Sequence, residues 1–143
     1  LAGLLLGPGL GAASQAVYVL LGLVGLPIFT QGGGFSYVTQ PTFGFLLGLI
    51  PAAWVAGMIA RRGAASFCRL LLACLAGTAA VYVIGLPYMH CILRFYLNKT
   101  WSIQQTVMGG MVIFLPWDVL KAIVASLLAK KLLPTLHKVG LQY

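Results

Sequence analysis

Residues 116–121, with the sequence PWDVLK, contain the feature around which the chain is organised: Asp118 is the only acidic residue among 143. It lies in an otherwise apolar segment, and a carboxylate at bilayer depth costs about 2.5 to 3.5 kcal/mol. Lys121 follows three positions later, and residues three apart share one face of a helix. A single acid placed beside a base in a hydrophobic run predicts the polar wall of a ligand pocket.

The composition is that of an integral membrane protein. Hydrophobic residues make up 61% of the chain and charged residues 7%, whereas soluble domains carry about 25% charged residues. These few charges cannot coat a soluble exterior, so we predict an all-α integral membrane protein in a lipid bilayer. The basic residues behind the net charge of +8 form no stripe interleaved with aromatics, so nucleic acid is not a predicted partner.

Apolar runs divide the chain into membrane helices. We predict a single membrane domain over residues 1–143, with the end of a helix at 1–6, membrane helices at 10–26, 43–61, 66–97 and 116–133, and an outer loop at 27–42. Arg61 and Arg62 end the 43–61 helix, and Lys130 and Lys131 lie near the end of the last one. Because such basic residues concentrate on the cytoplasmic side, the C-terminus is predicted to be cytoplasmic and the Asp118 end to face outside.

The outer loop combines a glycine run, Gln31-Gly32-Gly33-Gly34, with aromatic residues. Glycine lets a backbone approach a ligand closely, and aromatic rings can cover an apolar ring system. The candidate ligand contacts in and beside this loop are Phe29, Gln31, Gly32, Thr42 and Phe43, with Gln15 and Tyr18 of the preceding helix as polar side chains able to line a cavity. A plain connecting loop with aromatics at the membrane interface is an equally good interpretation.

Enzymatic chemistry is not predicted. One acid and two separated histidines leave almost no general acid–base pair, and the three cysteines show no CxxC spacing. The GxxxxGK[ST] motif of phosphate-binding loops does not occur, so this polypeptide is not expected to hydrolyse ATP. We therefore expect no catalytic residue, no metal site and no cofactor.

Several motifs occur in a fixed order along nearly the whole chain. They are Gly7-Pro8 with Gly11, Gly22-Leu23-x-Gly25-Leu26-Pro27, the glycine loop, Pro41-Thr42-x-Gly44 and Pro116-x-Asp118-x-x-Lys121-Ala122. Together they resemble the BioY family, the biotin-binding S components of energy-coupling-factor (ECF) transporters. The resemblance implies a bundle of six membrane helices with both ends cytoplasmic. This chain would hold the last four and the end of the second, with the first helix and most of the second missing.

The resemblance also implies a function. The chain would capture biotin from the outer side of a bacterial or archaeal plasma membrane and deliver it together with a membrane coupling subunit, the T component, and two ATPase subunits. Asp118 would accept a hydrogen bond from a ureido N–H, and Lys121 would meet the negative charge of the ligand or hold Asp118 in place. Phe29, Phe43 and Trp117 would pack on the ring and the valeryl chain.

Four departures from the family pattern affect the pocket, one of them Phe43-Gly44 in place of the usual Gly-Gly after Pro-Thr. Gln31 or Gly32 stands where an asparagine is frequent, Leu46 where some members carry arginine, and Trp117 where glycine is usual. The shape of the pocket is expected to differ accordingly. An S component or carrier for another small anionic vitamin is the alternative function. A structural subunit, in which Asp118 and Lys121 form an internal ion pair, is less favoured because intramembrane ionisable pairs usually mark substrate paths.

Overall fold

The computed structural model describes residues 1–63 and 66–138, and these residues are mostly helical. Five α-helices follow one another in that part of the chain: α1 (Ala2–Val24), α2 (Phe43–Arg61), α3 (Phe67–Cys91), α4 (Ile103–Val107) and α5 (Leu115–Lys138). Within these residues four segments meet the length and hydropathy of a membrane span: α1, α2, Phe67–Tyr96 and Ile103–Leu136, although α1 consists of two helices joined at Gly7. The chain is therefore a multi-pass membrane protein.

α1 reverses its direction at Gly7. That residue has φ 84° and ψ −178°, which lies outside the helical range. Glycine can adopt this combination without a steric clash because it has no Cβ. A Cβ built on Gly11 would lie 2.7 Å from the Cα of Gly3, whereas eight residues of continuous helix rise about 12 Å. The two parts of α1 therefore run side by side in opposite directions. Arg61, at the end of α2, donates a 3.1 Å hydrogen bond from Nη2 to the Leu6 carbonyl at this turn.

Small residues bring α2 and α3 together. Five of them recur every fourth position along α2 and are buried: Gly44, Gly48, Ala52, Ala56 and Ala60. The backbone of α3 comes so close that a Cβ on Gly48 would lie 2.9 Å from the Cα of Val81. Helices in lipid associate through this kind of close packing, because lipid tails are as apolar as the side chains. The stripe of small residues therefore forms the interface between α2 and α3.

Two buried clusters lie at opposite ends of α2. The first contains Val19, Phe29, Tyr37 and Phe43, and joins the outer loop to the start of α2. The second contains Leu4, Ala56, Ala60, Leu70, Ala73 and Ala129, and joins α1, α2, α3 and α5. All three cavities described below are lined by α3, and two of them also by α2.

The segment between α3 and α5 is wound more loosely than its neighbours. α3 passes into a π-helical turn at Ile92–Tyr96, and a second π-helical turn, Met108–Val112, follows α4. Within the second turn Gly110 lies so close to α3 that a Cβ there would be 2.9 Å from Leu86 Cδ2. This approach brings the first turn of α5, which contains Asp118, against the face of α3.

Candidate functional site

Asp118 occupies the first turn of α5 and accepts hydrogen bonds from two side chains. Lys121 Nζ lies 3.2 Å from Asp118 Oδ1, and the hydroxyl of Tyr82 on α3 donates to Asp118 Oδ2. The Lys121 side chain is 74% exposed and the Asp118 side chain 22% exposed. The carboxylate is thus partly withdrawn from the surface, with one donor from its own helix and one from the helix that faces it.

Three cavities meet at Asp118. The largest, here called the main cavity, has a volume of about 470 Å³ and lies between α2, α3 and the start of α5. A second, of about 370 Å³, lies between α3 and α5, and a third, of about 330 Å³, lies beside Lys121. Asp118 and Thr78 line all three. A movement of the Asp118 side chain could therefore direct its charge into any of these spaces.

The main cavity has an apolar wall with a few polar groups. The apolar side chains are Phe45, Leu46, Leu49, Val81, Met89 and Phe114, and the polar ones are Thr30, Tyr37, Thr42, Thr78, Tyr82 and Asp118. Among the described residues that line it, Asp118 alone carries a charge. Small-molecule sites typically combine an apolar lining with a small number of polar groups and have volumes of about 300 to 1,000 Å³. The main cavity fits that description.

Tyr82 is a site residue that the sequence analysis missed. Its side chain is 8% exposed, and its ring packs edge-on against Phe45, with centroids 6.1 Å apart and an interplanar angle of 86°. A buried tyrosine hydroxyl usually finds a partner. Because the chain has one acid, a buried tyrosine could have been expected to pair with Asp118. The 36 positions between Tyr82 and Asp118 hide this pairing in the sequence.

Tyr18, Phe29 and Phe43 lie together, but in a different place from Asp118. They form the aromatic cluster, which consists of Tyr18, Phe29, Tyr37, Phe43 and Tyr88. Successive ring centroids are 5.6, 4.7, 6.4 and 5.9 Å apart in that order. Phe29 and Phe43 are 5% and 4% exposed, and neither lines any of the three cavities.

The hydroxyls at the two ends of the aromatic cluster fasten the outer loop. Tyr18 donates a 3.1 Å hydrogen bond to the Ile28 carbonyl, and Tyr88 donates one to the Val38 carbonyl. Tyr37 belongs to the cluster and also lines the main cavity. The aromatic cluster therefore holds the loop against one edge of the main cavity.

The remaining candidates are dispersed. Thr42 lines the main cavity, and Gln15 lines the cavity beside Lys121, where its amide donates to Ser14 Oγ over 3.3 Å. Gln31 is exposed at the tip of a tight turn that Gly32, at φ 105°, closes by two backbone hydrogen bonds with Phe29. Trp117 is 64% exposed and lines none of these cavities.

Among the side chains that the structure describes, no group of three His, Cys, Asp or Glu is near enough to hold a metal ion. The candidate site is a cavity built from one carboxylate, its two donors and apolar walls. Its polar atoms can accept or donate hydrogen bonds to a ligand of moderate size.

Comparison with known proteins gives a consistent result. The family model described as the BioY family matches residues 1–138. The protein described as "Probable biotin transporter BioY" from Lysinibacillus sphaericus is 43% identical over 133 residues, covering 92% of this chain and 68% of the relative. The "Biotin transporter BioY" of Thermotoga maritima is 36% identical, covering 89% of this chain and 71% of the relative.

A solved structure matches the fold. It is a crystal structure at 2.1 Å of the S-component for biotin from an ECF-type ABC transporter. The TM-score is 0.77 and the sequence identity 24%, with coverage of 92% of this chain and 69% of the other. This likeness shows that the chain has the helical fold of that S component.

Proposed function

The chain belongs to the BioY family, and from that premise we propose that it is the substrate-binding membrane subunit of a biotin uptake transporter. Members of this family are transporter components and not enzymes, which agrees with the shortage of acid–base pairs in the sequence. The resemblance seen in the sequence motifs is confirmed by the family match. The proposal concerns what the cavity binds and which residues bind it.

One observation carries the proposal: a single carboxylate, held by two donors, opens on a main cavity of about 470 Å³ with apolar walls. Biotin offers ureido N–H donors at one end and a sulfur-containing ring with an apolar chain behind them. We propose that Asp118 accepts from a ureido N–H, because a charge-assisted hydrogen bond is stronger than a neutral one. Leu46, Leu49 and Val81 then face the ring and chain.

The carboxylate of biotin needs a positive partner. Leu46, which stands where some family members carry arginine, lines the main cavity and supplies no charge. Lys121 lines the adjoining cavity and points its ammonium at Asp118 from the exposed side. We propose that Lys121 meets the negative charge of the ligand while remaining the neighbour of Asp118. Thr42 and Gln15, which line the main cavity and the cavity beside Lys121, are proposed as polar contacts.

The other predicted site residues are proposed to act through the loop. Phe29, Phe43 and Tyr18 belong to the aromatic cluster and would keep the loop closed beside the main cavity. Gln31 and Gly32 would shape the turn within that loop. Trp117, exposed at the start of α5, stays a prediction as a contact to the valeryl chain.

The membrane arrangement completes the proposal. The basic residues at the ends of α2 and α5 favour a cytoplasmic C-terminus and an Asp118 end that faces outside. We propose the six-helix S-component bundle, in a bacterial or archaeal plasma membrane, as the complete architecture. Delivery of biotin would use a T component and two ATPase subunits as partners.

The test is equilibrium binding of labelled biotin to the purified full-length protein. Asp118→Asn keeps the size of the side chain and removes its charge, so we expect affinity to fall by about thirtyfold or more. Gln104→Ala, an exposed polar change on α4 outside the three cavities, is the control and should bind as the wild type does. Thermal unfolding in detergent checks that each variant is folded.

Two results would contradict the proposal in different ways. Undiminished binding by folded Asp118→Asn would remove Asp118 from the site. Saturable binding of pantothenate or nicotinate, with no binding of biotin by the folded wild type, would instead support the alternative of an S component for another small anionic vitamin. The departures at Leu46 and Trp117 are the observations that favour that alternative.

A further inference from the structure

Tyr82 and Asp118 connect α3 and α5 at the boundary of the main cavity. The tyrosine hydroxyl donates to Asp118 Oδ2, and Tyr82 lines both the main cavity and the cavity between α3 and α5. It does not line the cavity beside Lys121, which Asp118 also borders. The hydrogen bond therefore holds the carboxylate on the side of the main cavity and of the cavity between α3 and α5, away from the cavity beside Lys121.

The two donors to Asp118 differ in how firmly they can hold it. Lys121 lies on the same helix as Asp118, and its side chain is 74% exposed. An exposed ion pair of this kind contributes little free energy, because two flexible side chains must be held in one geometry. Tyr82 has a buried ring fixed by edge-on packing against Phe45. A ring with two rotatable bonds, already packed, loses little freedom when its hydroxyl bonds a neighbour.

The carboxylate has room to leave its position. Asp118 borders three separate cavities, so its side chain is not confined by packing alone. An ionised carboxylate has about four acceptor positions, of which Tyr82 uses one on Oδ2 and Lys121 one on Oδ1. Acceptor capacity remains on both oxygens for a ligand, provided that the carboxylate keeps its orientation.

We propose that Tyr82 is a positioning residue of the ligand site, which fixes the Asp118 carboxylate toward the main cavity and thereby sets ligand affinity. The proposal rests on the proposed function, because the ligand probe is biotin. It assigns the orientation of the carboxylate to a tyrosine on the facing helix, and leaves to Lys121 the contact with ligand charge. Any approach or separation of α3 and α5 would then change the binding site directly.

The first experiment is a double-mutant cycle on biotin affinity. Tyr82→Phe removes only the hydroxyl and keeps the ring against Phe45, so the protein should fold while biotin binding weakens by about ten- to a hundredfold. In an Asp118→Asn background the same change should have less than about a threefold effect, because the charged acceptor is gone. An equal effect of Tyr82→Phe in both backgrounds would overturn the proposal.

Tyr96→Phe is the control. It also removes one tyrosine hydroxyl, but Tyr96 lies in the π-helical turn after α3, is 60% exposed and lines none of the three cavities. We expect biotin affinity within about threefold of the wild type, since no contact of the carboxylate is lost. A loss equal to that of Tyr82→Phe would mean that any tyrosine hydroxyl matters equally, and the positioning role would be rejected.

The second experiment reads the carboxylate itself by infrared difference spectroscopy without ligand. Asp118 is the only side-chain carboxylate in this sequence, and subtraction of the Asp118→Asn spectrum assigns its stretching bands. Tyr82→Phe should shift those bands and Tyr96→Phe should leave them in place. Unchanged bands in Tyr82→Phe would show that the hydroxyl does not hold the carboxylate.

The two experiments separate failure of the inference from failure of the proposed function. If the folded wild type binds no biotin, the proposed function fails, and the infrared bands still decide whether Tyr82 holds Asp118. If biotin binds tightly and Tyr82→Phe changes neither affinity nor the bands, the proposed function survives and the inference fails. Shifted bands with unchanged biotin affinity also overturn the inference.

Discussion

The aromatic cluster and the main cavity both lie against the α2–α3 pair, yet they are built in opposite ways. In the cluster five aromatic rings pack against one another, and the hydroxyls of Tyr18 and Tyr88 donate hydrogen bonds to carbonyls of the loop. In the cavity about 470 Å³ stays open around a carboxylate. The first region is a closely packed core, whereas in the second the side chains face open space. The outer loop connects them through Tyr37, which belongs to both.

This difference separates two roles that aromatic residues can have beside a ligand. Phe29 and Phe43 were natural candidates for contact with an apolar ring of a ligand. They are only 5% and 4% exposed, because neighbouring residues of the protein already cover them. The polar centre of the cavity is formed instead by Asp118 with Tyr82 from the facing helix. Apart from Tyr37, the residues of the aromatic cluster therefore differ from those that line the main cavity.

The largest effect on stability is expected from a substitution that disrupts the aromatic cluster. Phe29→Ala removes a ring that touches Tyr18 and Tyr37 and leaves a void, so we expect a loss of about 3 kcal/mol of stability, at the lower end for buried phenylalanine. Thermal unfolding in detergent measures it. Phe35→Ala, in the same loop but at a side chain 79% exposed, is the matched control and should change stability by less than about 0.5 kcal/mol.

A second prediction for Phe29→Ala concerns its affinity for biotin. Where the protein is still folded, its biotin affinity should change far less than that of Asp118→Asn, because Phe29 lines none of the three cavities. A loss of affinity as large as that of Asp118→Asn, with stability intact, would show that the ring contacts the ligand.

A smaller effect is expected from filling the cavity. Thr78 lines all three cavities that meet at Asp118, so Thr78→Leu places extra volume in open space. We expect biotin affinity to fall about tenfold while stability changes by less than about 1 kcal/mol, because the new side chain meets little existing packing. Thr78→Val has nearly the original volume and separates loss of the hydroxyl from loss of space. If Thr78→Leu strongly destabilised the protein, the space would not be free.

The sequence predicted the charged centre because Asp118 has no competitor among 143 residues. It also predicted the membrane class and the family, both of which rest on composition and on motif order along the chain. Those features are local or one-dimensional, so packing does not alter them. The predicted family resemblance is confirmed by the match over residues 1–138.

The sequence could not show which polar and aromatic residues meet. Tyr82 and Asp118 are 36 positions apart, and their contact depends on the second π-helical turn, where Gly110 lets the chain approach α3. Likewise an aromatic residue beside glycines looks the same whether it packs on a ligand or on another ring. Phe29 is an example, since its place against Tyr37 follows from the turn that Gly32 closes. Pairings of this kind are decided by tertiary structure.

The smallest expected effect concerns Lys121, and it refines the comparison within the cavity itself. The ion pair with Asp118 is exposed on the lysine side, so Lys121→Ala should change stability by less than about 0.5 kcal/mol. If Lys121 meets the ligand carboxylate, the variant should bind biotin about fivefold more weakly and bind the uncharged biotin amide as the wild type does, because only the charge contact is lost. Lys121→Arg keeps the positive charge and should restore most of the biotin affinity. Equal losses for biotin and its amide would mean that Lys121 acts only by holding Asp118, and the partner of the ligand carboxylate would then have to be sought elsewhere around the cavity.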